Sequence, residues 1–208
     1  MDRDPTLKDA YRMSSQGDVK ELYRVWAHSY DSGFGDSQGY QLPRAVAQAY
    51  LTAGGTGPVL DVGAGTGLVA EYLIRGGVDV IDALDLSDEM LGVARMKGFY
   101  RRLIAADVTA ALPMVSGDYR GVVSAGTFTM GHVGPEGLIP LMDAVKSGTL
   151  FVISVNAAHF ESAGFADAMN GFAAQIEGLT FADTRIYDDR ADDGHRNDLA
   201  RLIVFRKA

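Results

Sequence analysis

The chain contains no cysteine. That excludes disulfides, thiolate metal sites and a cysteine nucleophile, and it leaves the redox compartment open. No apolar run approaches the ~18 residues that a membrane-spanning helix needs, so no membrane partner is expected. There is no cluster of Lys and Arg either: 19 basic residues stand against 27 acidic ones, for a net charge of −8. A dedicated nucleic-acid surface shows a basic face, so no nucleic-acid partner is expected. The opening residues, Met1-Asp2-Arg3-Asp4-Pro5, lack the charged-then-apolar order of a signal peptide, and a cytoplasmic protein is the expectation. What is abundant is hydrophobic sequence, 47% of 208 residues, enough for one globular domain with a sizeable core.

Periodicity divides the chain. Val19, Leu22, Tyr23, Trp26, Ala27 and Tyr30 share one face of a helix, and Leu42 to Leu51 forms a second helix stopped by Gly54-Gly55. From Pro58 onward strands alternate with helices. The pattern predicts strands at 58–62, 78–84, 101–106, 119–125 and 148–155, with helices at about 67–75, 88–97 and 136–146. Ser87 caps the second of these, with Asp88 and Glu89 in its first turn. Pro135 and Pro140 leave two forms open for the third, one helix or two short turns. Phe165, Ala168, Met169, Phe172, Ala173 and Ile176 mark a further helix closed by Gly178, and strands at 179–187 and 199–206 finish the chain. Alternating elements imply an α/β fold with a mostly parallel sheet, helices on both faces, and a C-terminal antiparallel hairpin. The expected organisation is one domain over 1–208, with cap helices in 1–55 and a Rossmann-like core in 56–208.

The most informative stretch is Val59-Leu60-Asp61-Val62-Gly63-Ala64-Gly65-Thr66-Gly67. It reads as a buried strand carrying an acid, three alternating glycines, and then a helix. Glycine leaves no Cβ between loop and ligand, so the spacing implies close approach of a nucleoside cofactor to backbone. A dinucleotide loop, G-x-G-x-x-G, would need a third glycine at position 68, which holds Leu68. Asp85, ending the second strand, suits the vicinal hydroxyls of a ribose. Asp107-Val108 ends the third strand, with Leu112-Pro113 following.

The pattern D-x-G-x-G-x-G resembles the first motif of class I S-adenosylmethionine (SAM)-dependent methyltransferases. Asp107 to Pro113 is similar to that family's D-x-x-x-x-L-P, and Tyr23-x-x-Trp26-Ala27-x-x-Tyr30-Asp31 looks like its Y-x-x-W-A-x-x-Y-D cap. The resemblance runs from about residue 19 to 206. It implies a seven-stranded sheet ordered 3-2-1-4-5-7-6 and SAM as cofactor, with S-adenosylhomocysteine (SAH) as product. It also implies a set of cofactor contacts. Asp61 and the Gly63 carbonyl would face the methionyl amino group, along the loop of Gly63, Gly65 and Gly67. Asp85 would hold the ribose, and Asp107 and the Val108 N–H the adenine, with Leu86 and Met90 on its face. Tyr23, Trp26 and Tyr30 would cap the cofactor, and Ser124 at the end of the fourth strand joins the set. Through Ser124-Ala125-Gly126-Thr127-Phe128 and the following glycine–histidine pair the chain is also similar to the methyltransferase-like group associated with the Williams–Beuren syndrome region.

Methyl transfer from a sulfonium is a direct displacement, so placement is the main task. The expected acceptor is a small molecule with an oxygen or nitrogen nucleophile, bound beyond the fourth strand in Ser124 to Pro135, a segment without the N-P-P-Y signature of enzymes acting on base or glutamine nitrogens. His132 is the candidate base, because imidazole titrates near neutral pH. Asn156 and His159 are secondary contacts, and Phe128, Met130 and Phe160 form an expected apolar wall. No metal site is expected: the acids of 188–198 lack calcium-loop spacing and interleave with arginines. Two other functions stay open on sequence alone, a nicotinamide-dependent oxidoreductase and a non-catalytic SAM-binding protein.

Overall fold

The computed structural model describes residues 38–112, 118–130, 132–191 and 194–208. The expected helix bearing Tyr23, Trp26 and Tyr30 lies outside the described residues.

Helix α1 (Leu42–Thr52) precedes strand β1 (Val59–Val62), followed by α2 (Leu68–Arg75), β2 (Ile81–Asp85), α3 (Asp88–Lys97), β3 (Arg102–Ala105) and β4 (Gly121–Phe128). A 3-10 turn at Pro135–Gly137 leads into α4 (Leu138–Ala144) and β5 (Leu150–Asn156). Two short helices, α5 (Ala157–Ser162) and α6 (Phe165–Gly171), precede the long strands β6 (Ile176–Arg185) and β7 (Leu199–Lys207). The sheet order is β3-β2-β1-β4-β5-β7-β6, the order that the resemblance implies. Strands β1 to β5 pair in parallel, and β7 runs antiparallel between β5 and β6.

The sheet buries both faces, as parallel sheets do. Leu60 and Val62 of β1 pack with Leu84, Phe151, Ile153, Phe165 and Phe205 on one side. Val59 packs on the other with Val46, Tyr50, Leu73, Ile81 and Val152. Phe151 and Phe205 stack across neighbouring strands at 4.7 Å. Helix α3 has the ends read from its sequence: the Ser87 hydroxyl accepts from the Met90 N–H at 3.2 Å, and Gly98 closes it in a left-handed turn.

Several boundaries differ from the sequence reading. At 136–146 the second of the two expected forms is found, a 3-10 turn followed by a seven-residue helix, because Pro135 starts one and Pro140 restricts the other. The helix expected through Ile176 stops at Gly171, and Ile176 instead opens β6 with its side chain buried. Its apolar face and that of the new strand happen to continue one periodicity. Helix α5 had no separate signal, although Asn156 caps it by accepting from Ala158 and His159 N–H groups. Strand β4 runs three residues further than expected, through a register shift between Ser124 and Phe128.

Candidate cofactor and acceptor site

Strand β1 is followed by a loop that only glycine could make. Gly63, Gly65 and Gly67 take φ of +64°, +53° and +94°, a region that costs an L residue about 1–2 kcal/mol. The Gly63 N–H donates to Leu84 O at 2.7 Å, and the Gly65 N–H donates to Asp85 Oδ2 at 2.8 Å. The other oxygen of Asp85 accepts from the Ser87 N–H at 2.8 Å. Asp85 therefore ties the loop to the end of β2, and with about four lone-pair sites against three backbone donors it keeps capacity for a hydroxyl donor. Burial pushes its pKa up, against the hydrogen bonds from Ser87, Gly65 and Leu86 that favour the charged form.

The three glycines differ in what surrounds them. A Cβ at Gly63 would lie 1.8 Å from Thr127 Oγ1, and one at Gly67 would lie 3.0 Å from the Tyr100 ring. A Cβ at Gly65 would meet nothing within 4 Å. The tip of the loop is thus the one of the three that opens onto free space. Thr127 belongs to the support of the loop: its hydroxyl donates to Val62 O at 3.1 Å, and the Ser124 hydroxyl donates to the same carbonyl at 2.8 Å. Ser124 is wholly buried, so the structure places it beneath the site as a tie between β4 and β1.

Asp61 is also wholly buried. Its Oδ2 accepts from the Tyr100 hydroxyl at 2.7 Å, while Oδ1 is without a hydrogen-bond partner. Burial raises its pKa to about 7; the Tyr100 hydrogen bond lowers it and the neighbouring Asp85 charge raises it. A buried ionisable oxygen with no donor is costly in the protein alone, and a cationic or N–H donor from a ligand relieves that cost.

Asp107 sits just past β3, where Oδ1 accepts from the Thr109 N–H and hydroxyl at 2.8 and 2.7 Å. Leu86 is half-buried, whereas Met90 and Val108 are 1% and 6% exposed and lie in or beside the core. Beyond β4, His132 is half-buried, and its pKa falls to about 4 through burial and the proximity of His159. His159 is fixed by Nε2 against Val133 O at 2.9 Å and lies edge-on to Phe165. The expected apolar wall needs correcting. Phe128 is completely buried and packs on Phe165, and Phe160 is nearly so, leaving only Met130 exposed to a ligand. Asn156 likewise spends its side-chain oxygen on capping α5. Tyr100 carried no sequence signal, since it lies between elements, 39 residues from its partner Asp61.

Among the described residues, no helix is long and apolar enough to cross a membrane, and no three His, Asp or Glu side chains gather as a metal site. The observed set fits a nucleoside cofactor with an amino-acid tail. It offers an unpartnered carboxylate oxygen for an ammonium, open space over Gly65, and a strand-end acid for ribose hydroxyls.

Residues 59–147 match the methyltransferase domain family. Human methyltransferase-like protein 27 is 33% identical over 139 residues, which are 64% of this chain and 56% of that protein. The chain thus spans little more than half the length of that relative. Among solved structures, the fold is similar to one from echinomycin biosynthesis, describing conversion of a disulfide bond into a thioacetal group (TM-score 0.61, 20% identity, 91% of this chain and 92% of that one). It is also similar to magnesium protoporphyrin IX methyltransferase of Synechocystis PCC 6803 with bound SAH (TM-score 0.59, 15% identity, 91% and 98%). An S-adenosylmethionine-dependent methyltransferase of Clostridium acetobutylicum ATCC 824 gives a TM-score of 0.56 at 14% identity over 87% and 98%. Residues 59–147 thus match a methyltransferase domain, and the sheet order with the D-x-G-x-G-x-G loop gives the chain the fold of the SAM-dependent methyltransferases it resembles.

Proposed function

We propose that this protein transfers a methyl group from SAM to an oxygen or nitrogen nucleophile of a small molecule. The observation that carries this reading is the convergence at the carboxyl ends of β1 and β2: an orphaned carboxylate oxygen on Asp61, open space at Gly65, and Asp85 facing the same loop. Ligands of open α/β sheets bind at this edge, beside the switch in strand order. Bound SAM supplies an electrophilic methyl group on a positively charged sulfur.

The chain's residues hold and orient. Asp61 receives the ammonium of the methionyl tail, and Asp85 receives the ribose hydroxyls. Asp107 and the Val108 N–H meet the adenine edge. Leu86 touches the adenine face, while buried Met90 and Val108 support that platform from beneath. Ser124 acts indirectly, by fixing the Val62 carbonyl at the root of the loop. The family resemblance assigns the cofactor's cap to Tyr23, Trp26 and Tyr30, which lie outside the described residues.

His132 orients the acceptor. With its pKa down at about 4 it is neutral at physiological pH, so its ring carries one N–H and one lone pair. An imidazole of that low basicity is a poor proton sink but a good hydrogen-bond partner. Orienting an acceptor that is already nucleophilic is the main contribution asked of the protein. The nicotinamide reading is not favoured: position 68, where a dinucleotide loop has its last glycine for close helix–strand packing, holds Leu68.

The test is release of SAH from SAM across a panel of small phenols, carboxylic acids, amines and N-heterocycles. Acceptor-dependent SAH release that falls at least tenfold in His132→Ala, with SAH affinity unchanged, is the expected result. Tight SAH binding with no acceptor above the acceptor-free rate would sink the proposal and leave a binding protein. Near-wild-type turnover in His132→Ala would sink the role of His132.

A further inference from the structure

The methyltransferase reading explains why a carboxylate stands at the root of the glycine loop. It does not explain what keeps a fully buried carboxylate ready to receive a cation. Asp61 is 0% exposed, on a four-residue strand whose other side chains are all apolar, and Asp85 on β2 adds a like charge nearby. Left to these surroundings it would take up a proton, and a protonated carboxyl has no charge to offer an ammonium. One group opposes this. Tyr100, from the turn between α3 and β3, donates its hydroxyl to Asp61 Oδ2 at 2.7 Å. Its ring also fixes the wall of the loop, since it lies 3.0 Å from the place a Cβ of Gly67 would take.

We propose that Tyr100 is a positioning residue for the cofactor: its hydroxyl occupies one oxygen of Asp61 and favours the charged form, so that the other oxygen stays free for the cofactor's ammonium. This rests on the SAM reading of the site. The groups that set the charge of Asp61 are Tyr100 from the turn and Asp85 from β2. Tyr100 itself remains protonated throughout, since burial and the two neighbouring acids hold its pKa well above the usual phenol range. It is therefore a donor at every working pH, and only the Asp61 side of the pair titrates.

The experiment is calorimetric titration with SAH between pH 6 and 8.5 on the full chain, for the wild type, Tyr100→Phe and Asp61→Asn. The wild type is expected to gain affinity as pH rises through about 7, where Asp61 loses its proton. In Tyr100→Phe that midpoint moves up by about one unit, a loss of roughly fivefold at pH 7 that shrinks towards pH 8.5. In Asp61→Asn the binding is weak and the pH dependence disappears. A wild-type protein that binds SAH while Tyr100→Phe keeps the same midpoint overturns the role of Tyr100 alone. A wild-type protein that binds no SAH at any pH overturns the cofactor reading and this proposal with it. Should Tyr100→Phe unfold, the flat or rising profile of Asp61→Asn against the wild type decides: a retained rise removes Asp61, and therefore Tyr100, from cofactor binding.

Discussion

Replacing Gly65 by alanine separates a loop built for folding from one built for a ligand. Gly65 takes φ of +53°, and a Cβ there would have no atom within 4 Å. The folded protein would lose only the backbone preference, about 1–2 kcal/mol, of which the stiffer unfolded chain returns roughly 0.4–1 kcal/mol. At about 2–4 °C per kcal/mol for a domain of this size, the melting temperature should fall by only a few degrees. Gly77 is the matched control, with φ of +88° and equally open surroundings, on the turn after α2 and away from the loop. Gly77→Ala should lose comparable stability. The two should part in binding: the new methyl at position 65 fills space that the cofactor needs, and SAH affinity should drop at least tenfold, or about 1.4 kcal/mol. Gly77→Ala should bind as the wild type does. Melting curves and calorimetry on the two variants make the comparison, and unchanged SAH affinity in Gly65→Ala would refute the assignment of that space to the cofactor.

Other outcomes follow from the charges. Asp61 has a folded pKa of about 7, above its ordinary value, so its stabilising contribution is complete below pH ~4 and lost as pH rises through 7. Asp61→Asn should therefore be more stable than the ligand-free wild type at pH 8, by roughly 2 kcal/mol or more in thermal or urea unfolding, while binding SAH poorly. Asp82 behaves oppositely. It is fully buried on β2 and accepts from Arg101, Arg102 and Tyr119; burial opposes its charge, but the three donors outweigh it and hold its pKa down at about 2. Its stabilisation, about 2 kcal/mol, is present above pH ~4 and should fade as pH falls towards 2. Asp82→Asn should cost about 2–3 kcal/mol in urea unfolding, less than a fully buried pair because both arginines are half exposed, and should leave SAH affinity unchanged. Ser87→Ala should cost about 1 kcal/mol by removing the cap of α3, read as a shift of the urea midpoint.

Local signals made much of this molecule legible. The Val59–Gly67 run carried strand, turn and helix together, and Ser87 with Gly98 bracketed α3, because caps and positive φ are set within a few residues. Alternation of elements, with the family resemblance, led to the sheet order. What escaped depended on partners distant in sequence. Ile176 kept helical spacing with Phe172 but pairs with Lys207, and pairing prevailed over periodicity. Phe128 read as a pocket wall because its loop was taken to begin three residues early; β4 in fact carries it into the core. Tyr100 had no motif, whereas Asp82 had a clue that could have been used: an acid inside an apolar strand demands partners, and two adjacent arginines open the next strand.

The most direct test of the whole reading is calorimetric titration of the purified protein with SAH, with NADH as the control. Binding in the micromolar range, about −8 kcal/mol, that disappears in Asp85→Ala and has no counterpart for NADH is the expected result. Clear NADH binding without SAH binding would contradict it and turn the search for substrates to redox chemistry.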